Sequence, residues 1–287
     1  MIAELSALLL APGGLGTLTG LSLAGLYAVT VEPTWLKIAR LRLGVRNLPA
    51  EFEGFTIAQL SDLHYSAIVK LDYLRTAVRR TNAAAPDLIA LTGDYITRGE
   101  QWIDGVADAV SELRAPAGVF AVLGNHDYHG EGAEPWRNDR IAGRIAAAFT
   151  AGGLTVLRNQ SVEIRRGGRT LQLVGLDDLW SRRFDPDAAF ADVRRDRPTV
   201  ALSHNPDTFD ALAARGADLV LSGHTHGGQI NLPVCGPPIR ACRNRKLTWG
   251  HYRFGPSHLY INPGIGYLQK VRFGCRPEIS LITLEAA

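Results

Sequence analysis

Five short, largely apolar runs in this chain each end in polar residues of a restricted kind. Phe55–Leu60 leads into Ser61-Asp62-Leu63-His64, and Leu88–Leu91 into Thr92-Gly93-Asp94-Tyr95. Val119–Leu123 leads into Gly124-Asn125-His126-Asp127. Thr199–Leu202 leads into Ser203-His204-Asn205-Pro206, and Leu219–Leu221 into Gly223-His224-Thr225-His226. Runs of three to six largely apolar residues between turn signals read as strands buried on both faces. The polar clusters then mark the points where strand gives way to loop. In layered α/β folds, ligands and catalytic groups collect at the carboxyl ends of strands. Carboxylates, imidazoles and one amide oxygen gathered there suit two divalent cations a few ångströms apart.

Further strands are expected at Leu171–Val174, Leu259–Ile261 and Ile279–Leu284, and helices at Leu71–Ala84, Trp102–Leu113, Asp139–Ala151 and Pro206–Ala214. The segments Val162–Arg166 and Thr170–Val174, joined by Gly167-Gly168-Arg169, read as a hairpin. Mixed parallel order with a late hairpin predicts an α/β fold of two sheets packed face to face with helices outside. No repeat or second domain is visible. The soluble domain is placed at 52–287, after a basic strand or linker at 33–51.

Residues 1–32 differ from the rest. No charge occurs from Leu5 to Val31, a length that crosses a hydrocarbon core of about 30 Å. Pro12-Gly13-Gly14 interrupts the run, and Thr17, Thr19 and Ser22 dilute it. The favoured expectation is a hydrophobic helix acting as a single-pass anchor. A cleaved signal peptide has neither a basic leader nor a small-residue cleavage site to support it. The remaining alternative is a helix docked on the membrane surface or on the domain. Lys37, Arg40, Arg42 and Arg46 follow the run, which places the domain on the cytoplasmic side by the positive-inside rule. They lie on a segment read as a strand with one basic face.

Bulk composition narrows the chemistry. The net charge of +3 is too small for a nucleic-acid binder, and suits an anionic substrate or an acidic membrane surface. Cys235, Cys242 and Cys275 have neither the number nor the spacing of a disulfide framework or a zinc knuckle. Taken singly, Asp62-Leu63-His64 is usually a turn. Asp94, after a glycine that permits close backbone approach, is suited to bridging two cations. Asn125 offers a neutral oxygen where more carboxylates would over-neutralise the ions.

The ordered set resembles the calcineurin-like metallophosphoesterases, whose pattern is D-x-H, G-D, G-N-H-D/E, a single H and G-H-x-H. Every ligand position of that pattern is present, over roughly Phe52 to Leu284. Glu32-Pro33, Gly227-Gly228-Gln229 and Pro277-Glu278-Ile279 make the chain look like the membrane-associated bacterial branch. The resemblance implies a four-layer αββα fold. It implies one metal on Asp62, His64 and His226, a second on Asn125, His204 and His224, and Asp94 shared between them. The metals implied are two divalent ions, Mn²⁺ first, with Fe or Zn²⁺ as alternatives. His126 is implied to face the substrate phosphate as the catalytic side chain. One position departs from the family. Many members carry a second aspartate three residues after the shared one, and here that residue is Thr97. His126 must then be oriented by a main-chain carbonyl or another carboxylate, or act mainly as a hydrogen-bond donor.

The expected activity is two-metal phosphoester hydrolysis, by attack in line with the leaving group. The expected substrate is a lipid-linked or nucleotide-sugar phosphate such as UDP-2,3-diacylglucosamine, met at a membrane surface. A broad phosphodiesterase for soluble or cell-wall phosphates is the alternative, and a metal-binding scaffold without activity is a third reading. The loop Pro237–Gly255 is basic and aromatic and is expected to overhang the site. Arg240, Arg243, Arg245, Trp249 and Arg253 are its candidate substrate contacts. His129, His251 and His258 match no motif position, and Trp102, Trp136 and Trp180 read as packing residues.

Overall fold

A computed structural model describes residues 12–130, 137–239 and 241–287. Among the described residues, twelve strands form two six-stranded sheets. The first contains β1 (Lys37–Val45), β2 (Thr56–Leu60), β3 (Leu88–Leu91), β4 (Val119–Ala121), β5 (Thr155–Val156) and β12 (Glu278–Ala286), in the order β1-β12-β2-β3-β4-β5. The second contains β6 (Gln160–Arg166), β7 (Arg169–Gly175), β8 (Thr199–Leu202), β9 (Leu219–Ser222), β10 (Gly250–Phe254) and β11 (Ser257–Ile261), in the order β10-β11-β9-β8-β7-β6. Strands β2, β3, β4 and β5 run parallel, as do β7, β8, β9 and β11. The carboxyl ends of β2, β3, β8 and β9 converge, because hydrogen bonds join the two sheets there. Gln59 on β2 donates to Ser222 O on β9 at 2.8 Å, and His204 Nδ1 lies 2.7 Å from Thr92 O.

Side-chain alternation along the strands builds three apolar layers. Ile57, Leu88, Ala90 and Phe120 point between the sheets and meet Leu171, Leu173, Val200, Leu202, Leu219 and Leu221. Ala58, Leu60, Ile89 and Leu91 point outward. They pack on α2 (Leu71–Ala83), α3 (Ile103–Val110) and α4 (Asp139–Ala151). Val174, Ala201, Val220 and Leu259 face outward on the second sheet. They are covered by Phe209 and Leu212 of α6 (Phe209–Ala214), and by Ala189 of the short α5 (Pro186–Ala189). Strands covered on both faces have no polar side to show, which is why they read as continuous apolar runs. Each such Leu, Ile or Val contributes about 1.5–3 kcal/mol by leaving water.

Several boundaries differ from the sequence expectations. The hairpin turn is the pair Gly167-Gly168 alone, with φ of 57° and 79°, because Arg166 pairs with Arg169. Two consecutive positive φ values are what a two-residue turn matching the strand twist requires. Trp102 and Leu113 lie outside α3, and residues 206–208 form a 3₁₀ turn ahead of α6. The expected loop Pro237–Gly255 ends in strand β10, which pairs antiparallel with β11.

The first described helix, α1 (Pro12–Thr30), runs through the glycine pair without a break. Among the described residues no helix is long and apolar enough to cross a membrane. The part of the expected anchor before Pro12 lies outside the described residues. The basic face of β1 is largely paired. Lys37 meets Glu278 at 2.8 Å, Arg42 meets Glu285 at 2.5 Å and Arg46 meets Asp218 at 2.8 Å.

Candidate metal centre

The loops leaving β2 and β3 continue side by side beyond the sheet. Asp62 N donates to Gly93 O, His64 N to Asp94 O and Tyr65 N to Tyr95 O, all within 3.0 Å. This two-stranded run carries Asp62, His64 and Asp94 to one place. Their backbones take left-handed φ of 52°, 48° and 58° respectively. His224 and His226, after β9, do the same at 70° and 51°. Asp and His tolerate this region better than most residues, but at some cost in strain. Gly93, Gly124 and Gly223 make the convergence possible. A Cβ on Gly93 would stand 2.6 Å from Gly124 N and 2.8 Å from His204 Nδ1.

The side chains form three overlapping clusters whose ligand-type atoms all lie within 4.8 Å of one another. Asp62, His64 and His226 form one, Asp94, His204 and His224 another, and His64, Asp94 and His126 a third between them. His226 Nε2 is 3.2 Å from Asp62 Oδ1 and 3.0 Å from His64 Nε2. Asp94 Oδ2 is 3.5 Å from His64 Nε2 and 3.1 Å from His204 Nε2, so it stands between the two groups. His224 Nδ1 is 3.3 Å from His204 Nε2. Asn125 is buried and its Oδ1 meets no hydrogen-bond donor.

Outward contacts on His204 and His224 show which nitrogen of those two rings faces inward. His204 Nδ1 sits against Thr92 O, and His224 Nε2 lies 2.9 Å from Ala241 O. A ring nitrogen beside a carbonyl carries a proton, so the opposite nitrogen is the one turned toward the centre, as a lone pair on His224 and on His204 as an N–H toward Asp94 that a bound cation would replace. Burial lowers His64 and His226 well below the usual imidazole range, with neighbouring positive side chains adding to it. Burial and His204 bring His224 down to about 3. Burial acts on His204 as well, but the Asp94 carboxylate more than reverses it and raises that ring to about 10. Burial pushes Asp62 up to about 6. Facing lone pairs, an orphaned buried amide oxygen and crowded carboxylates fit divalent cations. The donor set is one that a metal would satisfy and that bare protein leaves repulsive.

His126 is half-buried at the edge of this cluster. Its Nδ1 lies 2.8 Å from the main-chain oxygen of Thr97, and its N–H donates to Asp94 Oδ1 at 2.8 Å. Asp127 lies beneath and accepts from the N–H groups of Gly124, Asp94 and Tyr95 at 2.8–2.9 Å. Burial and Asp94 push its carboxyl up to about 8 against those three donors. Sequence reasoning gave Asp127 no role, although it stands in the Gly-Asn-His-Asp stretch and ties two of the loops together.

The expected substrate contacts divide. Trp249 packs beside Gly227, next to His226, and the loop touches the centre through Ala241 O on His224 and Thr248 O on Thr225. Arg243 and Arg245 are exposed on that loop, and Arg243 N donates to Asp207. Arg253 pairs with His258 at the end of β11 away from Ile261, so it points off the site. Arg240 and Trp136 lie outside the described residues. His251 and His258 contact each other at 2.8 Å on the β10–β11 hairpin and take no part. Three residues read as bland belong to the site's surroundings. His129 stacks near His126 with centroids 6.1 Å apart, Trp180 stands edge-on to His224 at 4.4 Å, and Trp102 lines a groove with His126.

The calcineurin-like phosphoesterase family model matches residues 55–228. Phosphodiesterase YaeI of Escherichia coli is 35% identical over 259 residues, covering 90% of this chain and 92% of that protein. UDP-2,3-diacylglucosamine pyrophosphatase LpxG of Chlamydia trachomatis is 29% identical, covering 91% of this chain and 92% of that protein. Haemophilus influenzae NAD nucleotidase superposes with a TM-score of 0.51 at 11% identity, over 74% of this chain and 50% of that one. That last likeness is one of fold. The chain belongs to the calcineurin-like phosphoesterase family and is a phosphoric ester hydrolase whose Asp and His residues are positioned for metal binding.

Proposed function

We propose that this enzyme hydrolyses a lipid-linked or nucleotide-sugar phosphodiester or pyrophosphate, of the kind represented by UDP-2,3-diacylglucosamine, at a membrane surface. The observation that carries this reading is a groove of about 460 Å³ beside His126. Its lining joins His126, His129 and Arg98 to Ile68, Trp102 and Leu268. Ile68 and Leu268 are large apolar side chains left 43% and 42% exposed. Cationic and imidazole groups suit phosphate, and an exposed apolar lip beside them suits an acyl chain. Leu21, Leu23 and Leu26 of α1 and the following Trp35 are exposed as well, which supports a membrane-facing side. The names of YaeI and LpxG point to the same two chemistries.

The ligand assignment belongs to this reading. Asp62, His64 and His226 would hold one cation, and Asn125, His204 and His224 the other, with Asp94 shared. Mn²⁺, Fe and Zn²⁺ all suit this oxygen and nitrogen set, and the resemblance to the family puts Mn²⁺ first. Such cations, when bound, polarise a phosphoryl oxygen and lower the pKa of water. His126 has its Nδ1–H held on Thr97 O, so Nε2 is the nitrogen left to hand a second proton to the leaving oxygen as water oxygen bonds to phosphorus and the P–O bond to the leaving group breaks. Arg98 and His129 offset charge on the rest of the phosphate. His224 is walled from solvent by Trp180 and by the Ala241 carbonyl.

The test is UMP release from UDP-2,3-diacylglucosamine in detergent micelles by the Mn²⁺-loaded protein, with bis-p-nitrophenyl phosphate in parallel. UMP release far above the control rate is expected. Hydrolysis of the control alone would overturn the lipid-linked substrate and point to soluble or cell-wall phosphates. No hydrolysis of either, with metal bound, would overturn the activity.

A further inference from the structure

Arg272 is fully buried. A guanidinium cannot shed its charge, and taking it out of water costs several kcal/mol unless its donors are met. Among the described residues it makes no ion pair, and its Nε has no partner. Its other donors converge on main-chain carbonyls. Nη2 reaches Pro263 O at 2.9 Å, Gly264 O at 3.2 Å and Gly266 O at 2.6 Å, and Nη1 reaches Cys275 O at 3.1 Å. The cation therefore serves main-chain carbonyls, three of them in 263–266 and one at Cys275, and no carboxylate among the described residues.

The stretch 263–266 is the wall behind the candidate centre. Ile265 N donates to Ser61 O at 3.0 Å and Gly266 N to Asp62 O at 2.7 Å. A Cβ on Gly264 would stand 2.8 Å from Asp62 Cβ and 3.3 Å from His226 Nδ1. Asp62 and His226 are two of the strained left-handed residues, which persist only where their surroundings hold them.

The other side of the brace is the end of α1. Arg272 N donates to Ala28 O at 2.9 Å. The buried Glu32 carboxylate accepts from Cys275 N at 2.6 Å and Gly274 N at 3.1 Å. Phe273 meets Tyr27 edge-on at 6.4 Å, and the Cys275 thiol points to His226 O at 3.4 Å. An unbroken set of contacts thus runs from the N-terminal helix, through residues 272–275, to the backbone of Asp62 and His226.

We propose that Arg272 is a positioning residue for the metal centre and that the end of α1 and the 3₁₀ turn after it, through Ala28 and Glu32, are a working part of the same brace. Seating of that helix then sets the metal affinity of a site whose ligands it does not touch. This rests on the metal reading given above, so the test measures metal directly.

Mn²⁺ affinity is read by electron paramagnetic resonance of the full chain for wild type, R272M, R272K, E32Q and the remote control E285Q. Thermal unfolding of each metal-free protein and kcat and KM on bis-p-nitrophenyl phosphate are read in parallel. R272M and E32Q are expected to bind Mn²⁺ about 10-fold more weakly or worse, the lower end of what supporting residues around metal ligands contribute. R272K should fall between, since one ammonium cannot span four carbonyls. E32Q acts because an amide oxygen accepts from one N–H while its NH₂ faces the other. Excess Mn²⁺ should restore kcat with KM unchanged, and E285Q should match wild type. A brace that is merely structural would lower the unfolding temperature and leave Mn²⁺ affinity alone, which overturns the proposal. Should R272M fail to fold, wild-type affinity in E32Q overturns it alone. A wild-type protein that binds no Mn²⁺ overturns both this proposal and the metal reading beneath it.

Discussion

His126 Nδ1 lies 2.8 Å from the carbonyl oxygen of Thr97, the residue standing where many relatives of this pattern carry an orienting aspartate. A carbonyl fixes the ring and its tautomer as an aspartate would, but supplies no full negative charge to favour an imidazolium. Orientation is kept and charge compensation is reduced. Replacement of His126 by alanine is expected to lower kcat roughly 10²–10³-fold, within the usual range for a proton-transfer group, with bound metal unchanged. Thr97→Val keeps the carbonyl and should stay within about threefold of wild type, far short of a proton-transfer loss. Rates on bis-p-nitrophenyl phosphate with metal analysis decide it. A valine variant as slow as the alanine one would show that the hydroxyl, and not the carbonyl, orients the ring.

Asp94 couples the two halves of the centre. Its Oδ2 stands between His64 and His204 while its Oδ1 holds the His126 N–H. Asp94→Asn is expected to lose metal and activity together, by at least about 100-fold in affinity. Retention of two metals per chain by the asparagine variant would refute the shared position.

Metal should also be visible as stability. Convergent imidazole lone pairs and crowded carboxylates repel one another without it, so a cation that binds the folded form is linked to folding. At about 100 times its dissociation constant, Mn²⁺ should stabilise the fold by about 2.7 kcal/mol per site. Calorimetry should then show unfolding about 5 °C or more higher, reversed by chelator. An unchanged transition would count against any metal site here.

Two glycines make a matched pair. A Cβ on Gly223 would fall inside contact distance of Ser61 Oγ and Asp62 Oδ2. Gly143, in the middle of α4, has nothing within 4 Å of the same position. Gly223→Ala is expected to cost about 1–3 kcal/mol and to weaken metal binding. Gly143→Ala should gain up to about 1 kcal/mol with metal binding untouched. Denaturant titration of both variants checks the contrast.

Much of this arrangement could be read from the chain before any coordinates. The β3 and β8 boundaries are as expected, because a strand covered on both faces must be apolar throughout. The convergence of Asp62, His64, Asp94, His204, His224 and His226 follows from strand ends pointing the same way. What escaped has a physical reason in each case. The acceptor for His126 is a main-chain atom, which every residue possesses and no residue type signals. Arg272 stands between Lys270 and Arg276 and nothing in the sequence sets it apart from them, and burial against carbonyls leaves no charge partner to suggest its place. Strand β10 has an alternating, mostly exposed pattern that looks like loop until its pairing with β11 is seen. His129 and Trp180 reach the site from loops whose path sequence does not specify.

Strand β12 lies between β1 and β2, so β1 touches its own sheet only through residues 278–286. A growing polypeptide therefore carries β1 unpaired until residues 278–286 have been made. Residues 272–275, which receive Ala28 and Glu32, are made just before them. The ligands for metal are all made by then, but their scaffold is not. Order of synthesis thus separates the appearance of the metal-binding groups from the moment they can be held in place.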